Sequence, residues 1–267
     1  MKKILGIDEK NRKLLDSLNR SGKNFFSVKE AAKIMELSIK DARLYLAYLA
    51  RRGWLSRVKP GLYMCVPLGT INPQEYKENP WVVANRIFAP CYIGGWSAAE
   101  HWDLTDQIFK SIFVVTARVF RKKEVSIQRT NFVLKLVRKE NFGHTKGVWV
   151  ENTKIKVSDP TQTIIDILND PTVGGGIRHT AEIVENYFAS EHRNNEGLLK
   201  YIGENKNRTV YKRLGFILGA LNIQAPEVIE VCKKNISAGY SVFEPTVKAK
   251  GTFNRKWNLR VNVEISK

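Results

Sequence analysis

Residues 27–66 constrain the fold of this chain more than any other segment. They contain two Ser-x-x-acid sequences, Ser27 with Glu30 and Ser38 with Asp41, which begin eleven residues apart. In this spacing the hydroxyl and the carboxylate satisfy backbone amides that the start of a helix leaves without partners. Apolar residues then recur at intervals of three and four, so each helix has one side to bury. The segment therefore predicts two short, consecutive helices that pack together.

A hairpin is predicted directly after the second helix. Gly53 can end that helix in the left-handed conformation, and residues 54–58 alternate in polarity as a strand does. Pro60 and Gly61 occupy the central positions of a type II turn, after which residues 62–66 return as the partner strand. Two capped helices followed by a hairpin are the order of parts in a winged helix-turn-helix.

The charge on these elements favours a nucleic-acid partner. The second helix has a basic row opposite its apolar side, with one small residue that permits close approach to a DNA groove. Residues 51–63 contain four basic and no acidic side chains, as expected of a wing that follows phosphates. The alternative is that these are solvated charges around an ordinary hairpin. The predicted DNA-binding residues are Lys40, Arg43 and Ala47, which would face bases, and Arg51, Arg52, Arg57 and Lys59, which would hold phosphates.

Basic residues are in excess along the whole chain. There are 44 Lys+Arg against 26 Asp+Glu, a formal net charge of +18, which favours a polyanionic partner through counterion release. Residues 110–139 hold nine basic side chains and one acid, Glu124, and residues 246–263 hold five basic side chains and no acid. These stretches predict a second basic surface for nucleic acid or an acidic protein, unless they are solvated strand edges. Its candidate residues are Arg118, Arg121, Lys122, Lys123, Lys248, Lys250, Arg255 and Lys256.

The length of 267 residues suggests two domains in one α+β chain. Residues that interrupt regular structure cluster at Pro67, Gly69, Pro73 and Pro80. We predict an N-terminal winged helix-turn-helix over 1–67, a linker over 68–80, and a mixed α/β C-terminal domain over 81–267. In that domain the patterns predict strands at 111–116, 131–137, 148–150 and 153–157, helices from 158 to about 236, and one or two final strands.

Membrane insertion and disulfide bonding are not indicated by the sequence. No run of eighteen apolar residues is present, and the N-terminal residues lack a signal-peptide core, so we expect a cytoplasmic protein without a membrane partner. Cys65, Cys91 and Cys232 are odd in number and far apart, which argues against disulfides and against a zinc site.

Each candidate for catalysis or metal binding has a simpler structural explanation. Residues 95–99 resemble a nucleophile elbow only in part, since Ala99 stands where glycine is required, and we predict Ser97 as a helix N-cap. Asp159 and Asp166 could share a helix face as metal ligands do, but Asp159 in Ser-Asp-Pro is explained by helix initiation. The histidines show no ligand spacing. We therefore predict no catalytic residue, metal or cofactor, and a protein that is not an enzyme.

A longer pattern runs through nearly the whole chain. Its segments are LARRGWLSRVKPGLY (49–63), YIGGWSAAEHWDLT (92–105), IKVSDPTQTIIDIL (155–168), KRLGFILGAL (212–221) and FEPTVKAKGTFNRKWNLRVN (243–262). In this order and spacing the chain resembles the AbiEi antitoxins and their relatives, which join a winged-helix head to a C-terminal antitoxin domain. One departure is Trp102-Asp103, where relatives more often have His-Gly.

The resemblance implies a repressor that binds inverted repeats in the promoter of its own operon. It also implies the antitoxin of a type IV toxin-antitoxin system, of the kind used in abortive infection and phage defence. The implied functional partner is a nucleotidyltransferase-like toxin, counteracted without a stable complex. The second basic surface would then extend the DNA contact or bind the toxin or its nucleic-acid substrate. We expect a monomer in solution and leave association on DNA open.

Two other functions remain compatible with the sequence. One is a stand-alone winged-helix transcriptional regulator without antitoxin activity, and the other is a DNA-processing enzyme. The first would bind its operator without relieving a toxin, and the second would show metal-dependent turnover.

Overall fold

A computed structural model describes residues 7–23, 25–67, 69–72, 75–248 and 250–265. It has the α+β architecture predicted from the sequence, with a helical head at the N-terminus. Contacts divide the described residues into two compact units. Unit 1 extends to Arg86 and includes Ser126–Thr130, and unit 2 comprises Ile87–Val125 and the residues from Asn131 onward. The domain limits inferred from the sequence stay a prediction, and Pro73 of the predicted linker lies outside the described residues.

Unit 1 contains the pair of helices and the hairpin predicted for a winged helix-turn-helix, together with a short strand, Phe25–Ser27, that was not predicted. Its three strands form one antiparallel sheet in the order β1-β3-β2. The apolar sides of the helices meet in a core that includes Leu18, Phe26, Leu46 and Leu49. The elements are α1 (Glu9–Arg20), β1 (Phe25–Ser27), α2 (Val28–Ile34), α3 (Ile39–Arg51), β2 (Leu55–Lys59) and β3 (Leu62–Cys65).

Both predicted helix starts of this head are confirmed. Ser27 Oγ accepts from Glu30 N at 3.2 Å, and Glu30 Oε2 accepts from Ser27 N at 2.8 Å, which is a complete capping box. Ser38 Oγ accepts from Asp41 N at 3.1 Å and donates to the Asp41 carboxylate at 2.6 Å. These bonds fix where α2 and α3 begin.

Unit 2 contains all but the residues 126, 127 and 130 of a six-stranded sheet in the order β6-β7-β5-β4-β9-β8. The pairs β4-β9 and β5-β7 are parallel, whereas β4-β5 and β8-β9 are antiparallel. The strands are β4 (Cys91–Ile93), β5 (Ser111–Thr116), β6 (Glu124–Ile127), β7 (Thr130–Leu136), β8 (Thr145–Val150) and β9 (Thr153–Ser158), and helix α4 (Pro80–Phe88) precedes them. Strand β6 was not predicted, because its alternation of polar and apolar residues, EVSI, spans only four positions directly after a charged run.

A helical layer and a small terminal sheet complete unit 2. Helix α6 has a nearly wholly buried apolar side and begins at Asp159 with a proline in its first turn, as predicted. The terminal sheet has the order β10-β12-β11, so three strands stand where one or two were expected. The elements are α5 (Gly95–His101), α6 (Pro160–Asn169), α7 (Ile177–Ala189), α8 (Asn195–Glu204), α9 (Thr209–Ala220), α10 (Pro226–Asn235), β10 (Ser241–Val242), β11 (Thr252–Asn254) and β12 (Leu259–Val261).

The prediction that Ser97 caps a helix is wrong. The N-cap of α5 is Gly94, and Ser97 lies inside the helix, where its Oγ accepts a hydrogen bond from Phe113 N at 2.9 Å. Gly95 has a φ of +51°, and a Cβ there would collide with the backbone of Val173. The two glycines therefore let the chain turn into the helix earlier than the serine indicated.

Two further expectations concern thiols and membranes. All three cysteines are free thiols, and burial raises the pKa of Cys65 to about 11 and that of Cys232 to about 12. Among the described residues, no helix combines the length and the apolar character needed to cross a bilayer.

Candidate nucleic-acid interface

Helix α3 separates its residues cleanly between a buried and an outward side. Ala42, Leu46 and Leu49 are fully buried in the core of unit 1. The helical period places residues 40, 43, 44, 47 and 51 on the opposite side, which we call the α3 outer face. The core thus fixes which side of α3 can meet another molecule.

The α3 outer face carries the basic residues predicted to read DNA. Lys40, Arg43 and Arg51 are exposed, and Ala47 is half-buried between them. Salt bridges within the described residues do not involve Lys40 or Arg43, although acidic side chains lie nearby in sequence. Asp41 is engaged by Ser38 at the helix start. Lys40 and Arg43 are therefore available for phosphates or base edges.

Leu44 is a part of this face that sequence reasoning missed. Its side chain is 64% exposed, although leucine usually lies in a core. It stands between Lys40 and Ala47 on the helix, where the interval of four and three residues could have revealed it. An apolar side chain in a major groove can contact the methyl group of thymine. The face therefore combines charge with an apolar contact point.

The hairpin β2-β3 lies next to α3 in unit 1 and forms the predicted wing. Gly61 has a φ of +77°, the left-handed conformation expected at the third position of a type II turn. Arg57 is exposed on β2 and opposes Tyr63, whereas Lys59 is half-buried at the end of that strand. The guanidinium of Arg52 lies 5.5 Å from the ring centroid of Tyr48 on α3. Of the predicted phosphate-binding residues, Arg52 is thus already held against its own helix.

Two cations of unit 1 pair with the carboxylate of Glu30. Lys23 Nζ lies 3.0 Å and Arg86 Nη2 3.3 Å from its carboxylate. Hydrogen bonding from the Ser27 backbone lowers the pKa of Glu30 to about 2, with a further contribution from Lys23. Because Lys23 and Arg86 pair with this carboxylate, its negative charge is balanced by those two residues and not by the basic residues of α3.

The residues predicted for a second basic surface are all exposed, but they form two groups. Arg118, Lys122 and Lys123 line one cavity in unit 2, and Arg121 does not line it. The other group lies in the terminal segment of the chain, before and after β11. Its members are Lys248, Lys250, Arg255 and Lys256.

Asp159 and Asp166, considered above as possible metal ligands, have structural roles. Asp159 caps α6 by accepting from Gln162 N at 2.8 Å, and Tyr201 donates to its other oxygen at 3.2 Å. Asp166 accepts from the Gln162 side chain at 2.8 Å. In the part of the chain that the structure describes, no three histidine, cysteine or acidic side chains are grouped as metal ligands would be.

The chain is similar to known proteins in its N-terminal sequence and in its fold. Residues 13–66 match a protein-family model described as "Transcriptional regulator, AbiEi antitoxin". The crystal structure of the RV2827C protein from Mycobacterium tuberculosis is similar over 95% of this chain and 92% of that chain, with a TM-score of 0.68 and 13% sequence identity. At this identity the similarity shows a shared fold. None of the curated proteins compared with the chain matches it.

Proposed function

We propose that this chain, in which residues 13–66 form a domain of the AbiEi family of transcriptional regulators and antitoxins, binds duplex DNA through the α3 outer face and the wing. The observation that carries the proposal is the exposed row of Lys40, Arg43 and Leu44 beside a hairpin that bears Arg57. An α-helix fits the major groove, and the second helix of a helix-turn-helix places its side chains on base edges.

Each part of this surface has a distinct task in the proposed complex. Arg43 is suited to the two acceptors of guanine, and Leu44 to a thymine methyl group. Arg51, Arg57 and Lys59 would hold phosphates, which position the protein without reading sequence. The half-buried Ala47 leaves room for the helix to approach the base edges.

The direct test measures binding to a labelled duplex of the protein's own promoter by fluorescence anisotropy. Arg43→Ala is expected to lose about 1–3 kcal/mol on that duplex and much less on a shuffled duplex, because a base contact is removed. Lys10→Ala is the matched control, since Lys10 is an exposed basic residue of α1 that lies outside the α3 outer face. Equal affinities of wild type and Arg43→Ala on both duplexes would remove Arg43 from base readout.

The antitoxin part of the proposal is supported by the family match of the head and by the resemblance of the later segments. We propose that the protein represses its own operon in the cytoplasm and counteracts a nucleotidyltransferase-like toxin encoded beside it, without a stable complex. Co-expression with that neighbouring gene is expected to restore growth, although the two proteins do not co-purify. Persistent growth arrest would favour a regulator without antitoxin activity.

Repression and toxin relief can be separated with one variant. If the head serves DNA and the C-terminal part serves toxin relief, Arg43→Ala is expected to derepress a promoter fusion while still rescuing growth. Loss of both functions in a variant that remains folded would show that toxin relief also depends on DNA binding.

A further inference from the structure

A basic cavity opens on the sheet of unit 2, away from the proposed DNA-binding head in sequence. Its volume is about 470 Å³, and its walls come from β5, β6 and β7, the loop between β5 and β6, and the 3-10 turn Pro171–Gly174. Pockets for small organic ligands have volumes of about 300–1,000 Å³. The cavity is thus large enough for a ligand of that class.

The charge of the cavity lining is positive. Lys135 Nζ binds the Asp170 carboxylate at 2.9 Å, and Thr172 Oγ1 donates to the same carboxylate at 2.6 Å, so this pair is satisfied internally. The remaining charged lining residues are Arg118, Lys122 and Lys123 against Glu124. Three cations against one acid leave an excess of two positive charges facing the cavity, which favours an anionic ligand.

An aromatic wall lies beside these cations. The Phe120 ring packs edge-on against Phe88, with centroids 5.2 Å apart. The Arg118 guanidinium lies 5.5 Å from the Phe120 centroid, and its Nη1 donates to Ile87 O at 3.3 Å. Phe113, which is 2% exposed, also contributes to the wall. The aromatic surface and Arg118 are therefore held in place without a ligand.

The backbone that carries the lysines is also fixed. Leu134 N of β7 donates to Lys123 O at 2.7 Å, immediately before β6 begins. Lys122 and Lys123 are exposed and extend from an anchored segment. Their ammonium groups can reach a ligand without reordering the loop, which lowers the entropic cost of binding.

We propose that this cavity binds a nucleoside phosphate. A planar base would lie against Phe120, and its phosphate would lie among Arg118, Lys122 and Lys123. Inorganic phosphate would use the cations but leave the aromatic wall uncovered, and an uncharged aromatic compound would leave the cations without partners. The same chemical group occurs in a free nucleotide and at the phosphorylated end of a single strand.

The test is isothermal titration of the full chain with AMP, ATP, adenosine, inorganic phosphate and a short 5′-phosphorylated oligothymidylate. AMP or ATP is expected to bind at least about tenfold more tightly than adenosine or phosphate, because each of those lacks one half of the contacts. The double variant Lys122→Glu with Lys123→Glu is expected to weaken nucleotide binding by about tenfold or more. Lys200→Glu, an exposed lysine of α8 that does not line the cavity, is the matched control.

A second variant separates the base from the phosphate. Phe120→Leu keeps an apolar side chain against Phe88 and is expected to weaken AMP binding while leaving inorganic phosphate unchanged. Binding of the oligonucleotide without binding of AMP or ATP would assign the ligand to a strand end and support the proposal.

Three results would overturn it. The first is absence of binding by AMP, ATP and the oligonucleotide alike. The second is an affinity for these ligands that the double lysine variant leaves unchanged. The third is loss of duplex DNA affinity in that variant when none of these ligands binds. The last result would make the lysines a DNA-contact surface. Circular dichroism of each variant confirms that it is folded.

Discussion

Replacing Gly215 by alanine is expected to destabilise unit 2 by forcing the indole of Trp257 out of position. Gly215 lies in α9, and a Cβ there would come within 2.7 Å of Trp257 Cε3 and closer still to Cζ3 and Cη2. Trp257 is only 2% exposed and belongs to the large hydrophobic core. Because such a core is close-packed, the ring has no free space to move into.

The size of the effect follows from two opposing contributions. Overpacking a core typically costs about 1–3 kcal/mol, and a rigid, buried indole places this case near about 3 kcal/mol. Alanine is more favourable than glycine inside a helix by about 1 kcal/mol. The net loss in the free energy of unfolding is therefore expected to be about 2 kcal/mol.

Gly219 provides the matched control, since it lies one turn further along α9 with no atom within 4 Å of a Cβ added there. Gly219→Ala is expected to raise stability by up to about 1 kcal/mol. The two variants share the helix contribution, so their difference isolates the collision with Trp257. In thermal unfolding, Gly215→Ala is expected to melt about 6–12 °C below Gly219→Ala, because the collision of about 3 kcal/mol lowers the melting temperature by about 2–4 °C per kcal/mol.

A double variant shows whether the indole is the cause. In a Trp257→Leu background the collision disappears, so adding Gly215→Ala is expected to cost little or to stabilise. If Gly215→Ala and Gly219→Ala unfold at the same temperature in the otherwise native chain, the proposed packing of α9 against Trp257 is wrong.

Three other predictions concern a buried cation, a buried acid and the wing. Arg213 donates to carbonyls at the end of α6 and in the β10 region at 2.8–3.2 Å, so Arg213→Met is expected to lose about 3 kcal/mol or more in urea unfolding, and a loss below about 1 kcal/mol would contradict this role. Burial raises the pKa of Asp166 from 3.8 to about 6. The contribution of the protonated Asp166 carboxyl to the free energy of unfolding is therefore complete below about pH 4 and is lost as the pH rises through about 6. The change is up to about 3 kcal/mol, and Asp166→Asn is expected to flatten the pH profile of unfolding, whereas an unchanged profile would refute the assignment. Lys59→Ala is expected to weaken DNA binding uniformly across sequences and to reduce the salt slope by about one, and a slope equal to that of wild type would argue against a phosphate contact.

The N-terminal head was largely predictable because its signals are local. The capping box of Ser27 and Glu30 spans three residues, and the turn at Gly61 depends on the conformation of one glycine. The apolar residues of α3 identify its buried side, and the helical period then places the basic residues on the opposite side. Leu44 was missed for a chemical reason, since an apolar residue was not expected on a DNA-facing surface.

In unit 2, contacts between residues distant in sequence decided the structure where the local sequence pattern indicated something else. Ser97 had the chemistry of an N-cap, but the glycines before it allow the chain to enter the helix sooner and leave Ser97 to bind the amide of Phe113. Arg213 belongs to the segment 212–221, but no local pattern marked it as a buried hydrogen-bond donor. Its importance comes from carbonyl groups that lie 30 to 45 residues away along the chain.

The amino-acid sequence by itself determined the helix starts, the hairpin and the cationic character of the head, because these depend on residues within about one turn of each other. Only the tertiary structure decided the order of the six strands and the packing of Trp257 against Gly215. It also decided which residues line the cavity, Arg118 and the Lys135–Asp170 pair among them. These features require segments distant in sequence to bury their apolar surfaces against one another. That choice among pairings is made by the packing of the whole domain rather than by any local pattern.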